Sequence, residues 1–371
     1  MGIYIVLGII LAGIVGGYAY FYIKRIFTFV GVNMSRRSSR MICFCVALAV
    51  AAACVNVWSV TALIVLHILA ASVFCDLCFL IFRKMYKRQD DRIGERVSSF
   101  YRSGLIPVII TAMLLGYGFY NMGHVVKTEY QITTEKNVND YRIALITDTH
   151  YGTIQDPKLL DKAVEELNQE KLDIVILGGD IVEEDTSKEE MQQAFQVLGG
   201  IETSKGIYYV YGNHDRQPYT DQRSYTDEEL IEAVEENHIT ILEDSYVEIN
   251  EELILAGRGN AMWGNSSGRK SMEGLLQGVD RNHYIITADH QPIQAEENDA
   301  QGVDLEVSGH THAGQIWPVG WLSELTGILN YGEYQKGDCK VIVSSGFTGW
   351  GYPLRTEGHC EYVIIHLSQS S

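Results

Sequence analysis

Residues 1–127 hold almost no acidic side chains: 4 of the chain's 47 Asp and Glu lie there, against 13 of its 29 Lys and Arg. The remaining residues have the opposite shortage, with 16 basic groups facing 43 acidic ones. A surface so poor in cations repels nucleic-acid phosphates, which excludes nonspecific DNA or RNA binding. Cysteine is scarce in this acidic part, where Cys339 and Cys360 are two of the chain's seven. That argues against a thiolate metal site. The two thiols could pair only in an oxidising compartment and with suitable geometry, which the sequence leaves open. The other five, Cys43, Cys45, Cys54, Cys75 and Cys78, lie in apolar segments and read as small buried hydrophobes. A basic start and a small-residue cleavage site are missing from the first apolar stretch, so a retained helix is expected there rather than a signal peptide.

Long apolar runs are present in the first third: Ile3–Ile23, Met41–Val57, Trp58–Phe82 and Leu105–Met122. Each approaches the ~20 residues that a bilayer crossing needs. The expectation is an all-α bundle of four transmembrane helices over residues 1–126, with Asn56 and Trp58 marking a tight outer turn. Lys24, Arg25, Arg36, Arg37 and Arg40 lie between the first two runs. Arg83, Lys84, Lys87, Arg88, Arg92, Arg96 and Arg102 lie between the last two. Both basic loops are expected to be cytoplasmic. The chain then reads as an integral membrane protein with its acidic domain, residues 127–371, outside the cytoplasm. Asp76, a few residues from Arg83, is expected to reach toward the inner interface, and His67 to bond a neighbouring helix as a neutral group. Gly8, Ala12 and Gly16 suit close helix packing.

In the acidic domain Tyr130–Thr134 reads as an edge strand. Arg142–Thr147, Asp173–Leu177 and Ile207–Tyr211 read as strands alternating with helices. The helix starts are Asp156-Pro157, the Ser187/Glu190 capping box and Thr226 with Glu229. This βαβ order implies a parallel sheet with helices on its faces. After Tyr246 shorter strands follow: Val247–Ile249, Leu253–Ala256, Tyr284–Thr287, Leu305–Val307, Lys340–Ser344 and Tyr362–Leu367. A second, more antiparallel sheet packed on the first is expected from them.

Residues that bind metals stand just past these strands. Asp148 and His150 follow the first, and Asp180 follows the second behind Gly178-Gly179. Asn213 and His214 follow the third, His290 follows Tyr284–Thr287, and His310 and His312 follow Leu305–Val307. Open α/β sheets gather ligands beyond the carboxyl ends of their strands, so these side chains can meet in one crevice. Singly, a strand-end Asp is an ordinary helix cap and a lone His an ordinary core group. Five strand ends bearing such residues in order are not explained that way. Carboxylate, imidazole and amide donors suit Mn²⁺, Fe or Zn²⁺.

The runs Asp148-Thr149-His150, Gly178-Gly179-Asp180, Gly212-Asn213-His214-Asp215, His290-Gln291-Pro292 and Gly309-His310-Thr311-His312-Ala313-Gly314-Gln315 resemble, in content and order, the motif set of the calcineurin-like metallophosphoesterases. They are most similar to a bacterial membrane-associated branch. The resemblance implies a two-sheet αββα sandwich and two divalent metal ions. Asp148, His150, Asp180 and His312 would hold one ion; Asp180, Asn213, His290 and His310 would hold the other, with Asp180 bridging. A bridging hydroxide would attack phosphorus, His214 would protonate the leaving oxygen, and Asp215 would orient His214. Two ions ~3.5–4 Å apart suit that chemistry. The acidic character of the domain makes cations necessary for any phosphate substrate.

Some residues depart from the family's pattern. Ile181-Val182-Glu183-Glu184 stands where Ser/Thr protein phosphatases have an Asp-Arg-Gly turn, and Asp215 follows His214 where they have Glu; both argue against protein phosphatase activity. Arg258-Gly259-Asn260 stands where the branch often has acidic residues. The expected function is hydrolysis of phosphate mono- or diesters or pyrophosphate linkages. A UDP-diacylglucosamine-type lipid pyrophosphatase and a non-catalytic metal-binding membrane sensor are the alternatives. The expected partners are a phosphoester substrate, lipid-linked in the second reading, and the membrane. The stretch Ile316–Leu322, with Trp317 and Trp321, has a plain reading as packing between the sheets and a functional one at a bilayer interface.

Overall fold

The computed structural model describes residues 2–57, 59–85, 92–261 and 268–370, and the chain divides into two compact units, Met1–Tyr117 and Gly118–Ser371. The first unit is helical: α1 (Gly2–Phe29), α2 (Arg37–Ala53), α3 (Val60–Met85), α4 (Arg92–Ser103) and the start of α5 (Leu105–Met122). All four apolar runs become helices, but the expectation of four transmembrane spans is corrected. Among the described residues two helices are long and apolar enough to cross a membrane, Val60–Lys84 of α3 and Leu105–Met122 of α5. α2 has 17 residues, about 26 Å at 1.5 Å per residue, short of the ~30 Å of bilayer hydrocarbon. α1 packs its Val15, Ala19 and Tyr22 inward, and a Cβ on Gly16 would sit 3.2 Å from Ala51 Cβ of α2.

Two polar groups lie within α3, and His67 bonds its own helix rather than the expected neighbour. Asp76 pairs with Arg25 and accepts from Tyr18 OH at 2.6 Å, because α1 and α3 bring them together. His67 Nδ1 bonds Leu63 O at 2.8 Å, one turn back on its own helix. The amphipathic α4 carries Arg92, Arg96 and Arg102, while Lys87 and Arg88, like Trp58, lie outside the described residues.

The second unit has four layers. One sheet has the order β1-β12-β2-β3-β4-β5, built from β1 (Val125–Thr134), β2 (Tyr141–Ile146), β3 (Ile174–Leu177), β4 (Ile207–Tyr209), β5 (Ile239–Ile241) and β12 (Cys360–Gln369). β2 to β5 pair in parallel and β12 pairs antiparallel to β2. The other sheet has the order β10-β11-β9-β8-β7-β6, built from β6 (Ser245–Glu248), β7 (Leu253–Gly257), β8 (Tyr284–Ala288), β9 (Leu305–Ser308), β10 (Gly332–Lys336) and β11 (Cys339–Val343). As expected this sheet is the more antiparallel of the two, through its edge strands β6 and β10, but its core strands β7, β8, β9 and β11 run parallel. The last strand, Tyr362–Leu367 in the sequence reading, also belongs to the first sheet.

Helices α6 (Lys158–Leu167), α7 (Lys188–Gly199) and α8 (Asp227–Glu236) cover the first sheet. α9 (Met272–Leu275) and α10 (Ala295–Ala300) cover the second. α6 buries Leu160, Ala163, Val164 and Leu167, an i, i+3, i+4, i+7 stripe. Ser187 and Thr226 cap α7 and α8 in complete capping boxes with Glu190 and Glu229. Strand residues alternate between two interfaces. Ala144 and Ile146 face the helices, while Ile143 and Leu145 meet Leu253, Leu255 and Ile286 between the sheets. Both faces are apolar, which is why these strands read as continuous hydrophobic runs. Each fully buried Ile or Leu contributes about 1.5–3 kcal/mol. Cys339 and Cys360 are both free and buried, in different sheets.

Candidate metal centre

The carboxyl ends of β2, β3, β4, β8 and β9 open at one edge of the paired sheets, and their loops are fastened together. Asp148 N donates to Gly179 O at 2.9 Å, His150 N to Asp180 O at 3.1 Å, and Gly309 N to His290 O at 3.1 Å. Gly179, at φ 90°, leaves room for Gly212: a Cβ there would lie 2.5 Å from Gly212 N and 2.8 Å from His290 Nδ1. Five of the predicted site residues adopt left-handed backbone: Asp148 (φ 54°), His150 (38°), Asp180 (49°), His310 (71°) and His312 (49°). Such conformations cost of order 1–3 kcal/mol each and persist where the surroundings enforce them.

Those loops bring the predicted residues into two adjoining triads. Asp148, His150 and His312 present ligand atoms all within 4.8 Å of one another, and so do Asp180, His290 and His310. Asp180 Oδ2 is 3.0 Å from His290 Nε2, and its Oδ1 accepts from His214 N at 2.8 Å. Asn213 shares a cleft of about 980 Å³ with Asp180, His214, His310 and His312. Its Oδ1 accepts from Gln291 Nε2 at 3.2 Å.

The imidazoles are set as metal ligands commonly are. His290 Nδ1 bonds Gly178 O at 2.8 Å and His312 Nδ1 bonds Thr348 O at 3.0 Å, which leaves each Nε2 facing its carboxylates. His150 Nε2 is buried without a hydrogen-bond partner, and His290 Nε2 has only the Asp180 carboxylate, at 3.0 Å. Buried polar atoms are seldom left so. Burial, reinforced by the neighbouring His290, pushes His310 down to about 4. Burial, reinforced by His150, pushes His312 down to about 3. Both are therefore neutral, as ligands must be. Burial also opposes charge on His290, but the Asp180 and Asp148 carboxylates outweigh it and push that group up to about 10.

Asp215 is placed differently from its expected role. Its carboxylate accepts the backbone N–H groups of Asp180 (2.9 Å), Ile181 (2.8 Å), Val182 (3.2 Å) and Gly212 (2.6 Å). It fixes the loops after β3 and β4. The group beside the His214 ring is Glu184, whose Oε2 lies 2.6 Å from Nδ1. Glu183, Glu184 and His214 form a third cluster of ligand-capable atoms. Sequence reasoning passed over both glutamates. The available signal was an acidic pair three and four residues past Asp180. Arg258 also gains an account: it is buried and reaches Glu297 at 3.4 Å and Asn298 at 3.2 Å, in a network with Asp289, the residue before His290, which pairs with Arg269 at 2.9 Å.

Residues 141–314 match the family model described as calcineurin-like phosphoesterase. The chain is 30% identical over 260 residues to a Helicobacter pylori protein named an uncharacterized metallophosphoesterase, covering 68% of each chain. It is 28% identical over 301 residues to a Danio rerio transmembrane protein with metallophosphoesterase domain, covering 77% of this chain and 68% of that one. A solved structure of a dimetal phosphatase from Danio rerio is similar with a TM-score of 0.36 and 13% identity, over 62% of this chain and 99% of that one.

Proposed function

The chain belongs to the calcineurin-like phosphoesterase family and is a phosphoric ester hydrolase, and we propose that it works as a two-metal enzyme of the membrane surface. The observation that carries this reading is the pair of adjoining triads, with the buried His150 Nε2 left without a hydrogen-bond partner. The donor set fits two divalent cations. Asp148, His150 and His312 with Asp180 would hold one; Asp180, Asn213, His290 and His310 would hold the other. Bound there, the cations supply positive charge for phosphate oxygens and lower the pKa of water. The rim of the cleft supports the need for them, since Glu183, Glu184 and Asp185 line it and repel an anion.

The remaining work falls to the protein's own groups. Glu184 holds the Nδ1 side of His214, so Nε2 is the atom free to carry a proton to the leaving oxygen. Asp215 holds the amides of the two loops that bear Asp180 and His214. Mono- and diesters of phosphate are the proposed substrate class. The chain is proposed to sit in a bacterial cell membrane through α3 and α5, with the catalytic unit outside the cytoplasm. The arginine-rich stretch between those two helices supports that side.

The test uses the full-length protein in detergent. After dialysis against a chelator it should hydrolyse neither nitrophenyl phosphate nor bis-nitrophenyl phosphate. Activity should return with Mn²⁺, Fe²⁺ or Zn²⁺ at about two equivalents bound. Hydrolysis that survives complete removal of metal would overturn the proposal.

A further inference from the structure

The segment that follows the last site histidine is apolar and uncovered. Between Ile316 and Leu329 it carries one charged side chain, Glu324. Trp317, Trp321 and Leu325 are 60%, 55% and 67% exposed, and Leu322 and Ile328 are exposed beside them. These side chains do not pack between the sheets, which was the plain reading of the sequence. The backbone beneath them is nonetheless firmly held. Thr356 Oγ1 accepts from Trp317 N at 3.0 Å, and the Glu357 carboxylate accepts from Gly320 N at 2.8 Å and Trp321 N at 2.9 Å. Holding large apolar side chains in water on a fixed backbone is unfavourable unless something covers them.

The neighbouring element says what that is. The strip Leu354–Gly358 that anchors this turn also anchors the last turn of α5. Arg355 N donates to Gly118 O at 3.0 Å. Asn121 Nδ2 donates to Arg355 O at 3.1 Å and Gly358 O at 2.8 Å. α5 is of membrane-spanning length, and its end exposes Phe119 and Tyr120, aromatic residues of the kind that settle at the bilayer interface. The exposed end of α5, residues 118–122, and the 317–328 face are thus held by one and the same strip, and a bilayer interface that takes up the aromatics of the first suits the apolar side chains of the second. Gln315 ties that face to the cleft wall: its Oε1 accepts from Trp350 N at 2.8 Å, while its backbone O accepts from Thr356 N and Glu357 N.

We propose that the face formed by Trp317, Trp321, Leu325 and Ile328 seats in the headgroup region of the bilayer, and that the cleft beside it takes a phosphoester carried on a lipid. The substrate half of this rests on the phosphoesterase reading; the docking half does not. Attraction to anionic lipid is not the driving force, because the face carries one acidic group and no basic one and the catalytic unit is strongly acidic. Apolar burial is, so docking should persist on neutral phosphatidylcholine and at high salt.

The test uses the full-length protein reconstituted in phosphatidylcholine liposomes whose acyl chains are brominated near the headgroup. The emission of Trp317 and Trp321 is read as the difference between the natural protein and its Trp317→Tyr, Trp321→Tyr double variant. Quenching of that difference by bromolipid, with shielding from aqueous iodide, is the expected result. Quenching by iodide alone would place the face in water, and shielding from both would show a protein partner or second copy over it; either overturns the docking. Leu325→Glu should lower hydrolysis of a lipid phosphoester in the same liposomes roughly tenfold, since it puts a charge where docking would bury a leucine, and leave a soluble nitrophenyl ester unaffected. Equal loss on both substrates would overturn the lipid-substrate half. If the natural protein hydrolyses neither ester, the phosphoesterase reading fails while the quenching result still decides the docking.

Discussion

Replacing Glu184 by glutamine tests how the cleft moves a proton. The carboxylate lies 2.6 Å from His214 Nδ1, and the two side chains are 17% and 11% exposed, so the contact is mostly shielded from water. Glutamine keeps the shape and removes the charge. A hydrogen bond to a charged partner is worth about 1.5–3 kcal/mol. If that contact is what aims the His214 ring at the leaving oxygen in the transition state, its loss lowers kcat roughly 10- to 150-fold at about 1.4 kcal/mol per decade. The loss should appear with an alkyl phosphate, whose leaving oxygen needs a proton, and shrink to within roughly threefold with a nitrophenyl ester, which does not. Stopped assays on both substrates and metal analysis by mass spectrometry measure this together. A uniform loss on the two esters would refute the positioning role. Loss of bound metal would instead make Glu183, Glu184 and His214 a ligand set.

Other expectations follow from the same geometry. Asp180→Asn halves the charge that the two triads share and leaves His290 without its carboxylate at 3.0 Å; metal content and turnover should both fall, the latter by at least roughly a hundredfold, and an unchanged metal content would overturn the assignment of Asp180 to both triads. His214→Ala should lower turnover on alkyl esters while metal analysis finds both cations retained. A cysteine placed on α7 by Glu189→Cys should react in intact cells with an impermeant maleimide, whereas Arg96→Cys on α4 should react only after permeabilisation; the reverse pattern inverts the proposed orientation. Ser187→Ala breaks the capping box of α7 and should cost about 1 kcal/mol in a denaturant melt without altering metal content.

The features that sequence conveyed are those set by neighbours along the chain. The caps at Ser187 and Thr226 depend on a side chain three residues away. The α6 stripe depends on the helical repeat, and the strand ends at Asp148, Asp180 and Asn213 are marked by an apolar run stopping at a ligand or glycine. The βαβ alternation likewise forces parallel pairing of β2 to β5, because each crossover helix returns the chain to the same end of the sheet. The placement of β12 in the first sheet was not conveyed. Nor was the parallel core of the second sheet, since short strands joined by irregular loops carry no local mark of direction.

The site divides along the same line. Which residue types stand at which strand ends was written in the sequence, and with it the donor chemistry of the centre. Which groups meet across loops was decided only in three dimensions. Asp215 turned out to hold backbone amides, Glu184 to face His214, and Arg258 to lie buried beside Asp289 and Glu297. The tryptophans make the same point, because Trp317 and Trp321 are apolar enough for either a core or an interface. Their exposure follows from Thr356 and Glu357 gripping the backbone beneath them, residues some 36 to 39 positions away. Residue identity and spacing determine the chemistry a segment can offer; contacts between distant segments determine which of its faces meets water, metal or lipid.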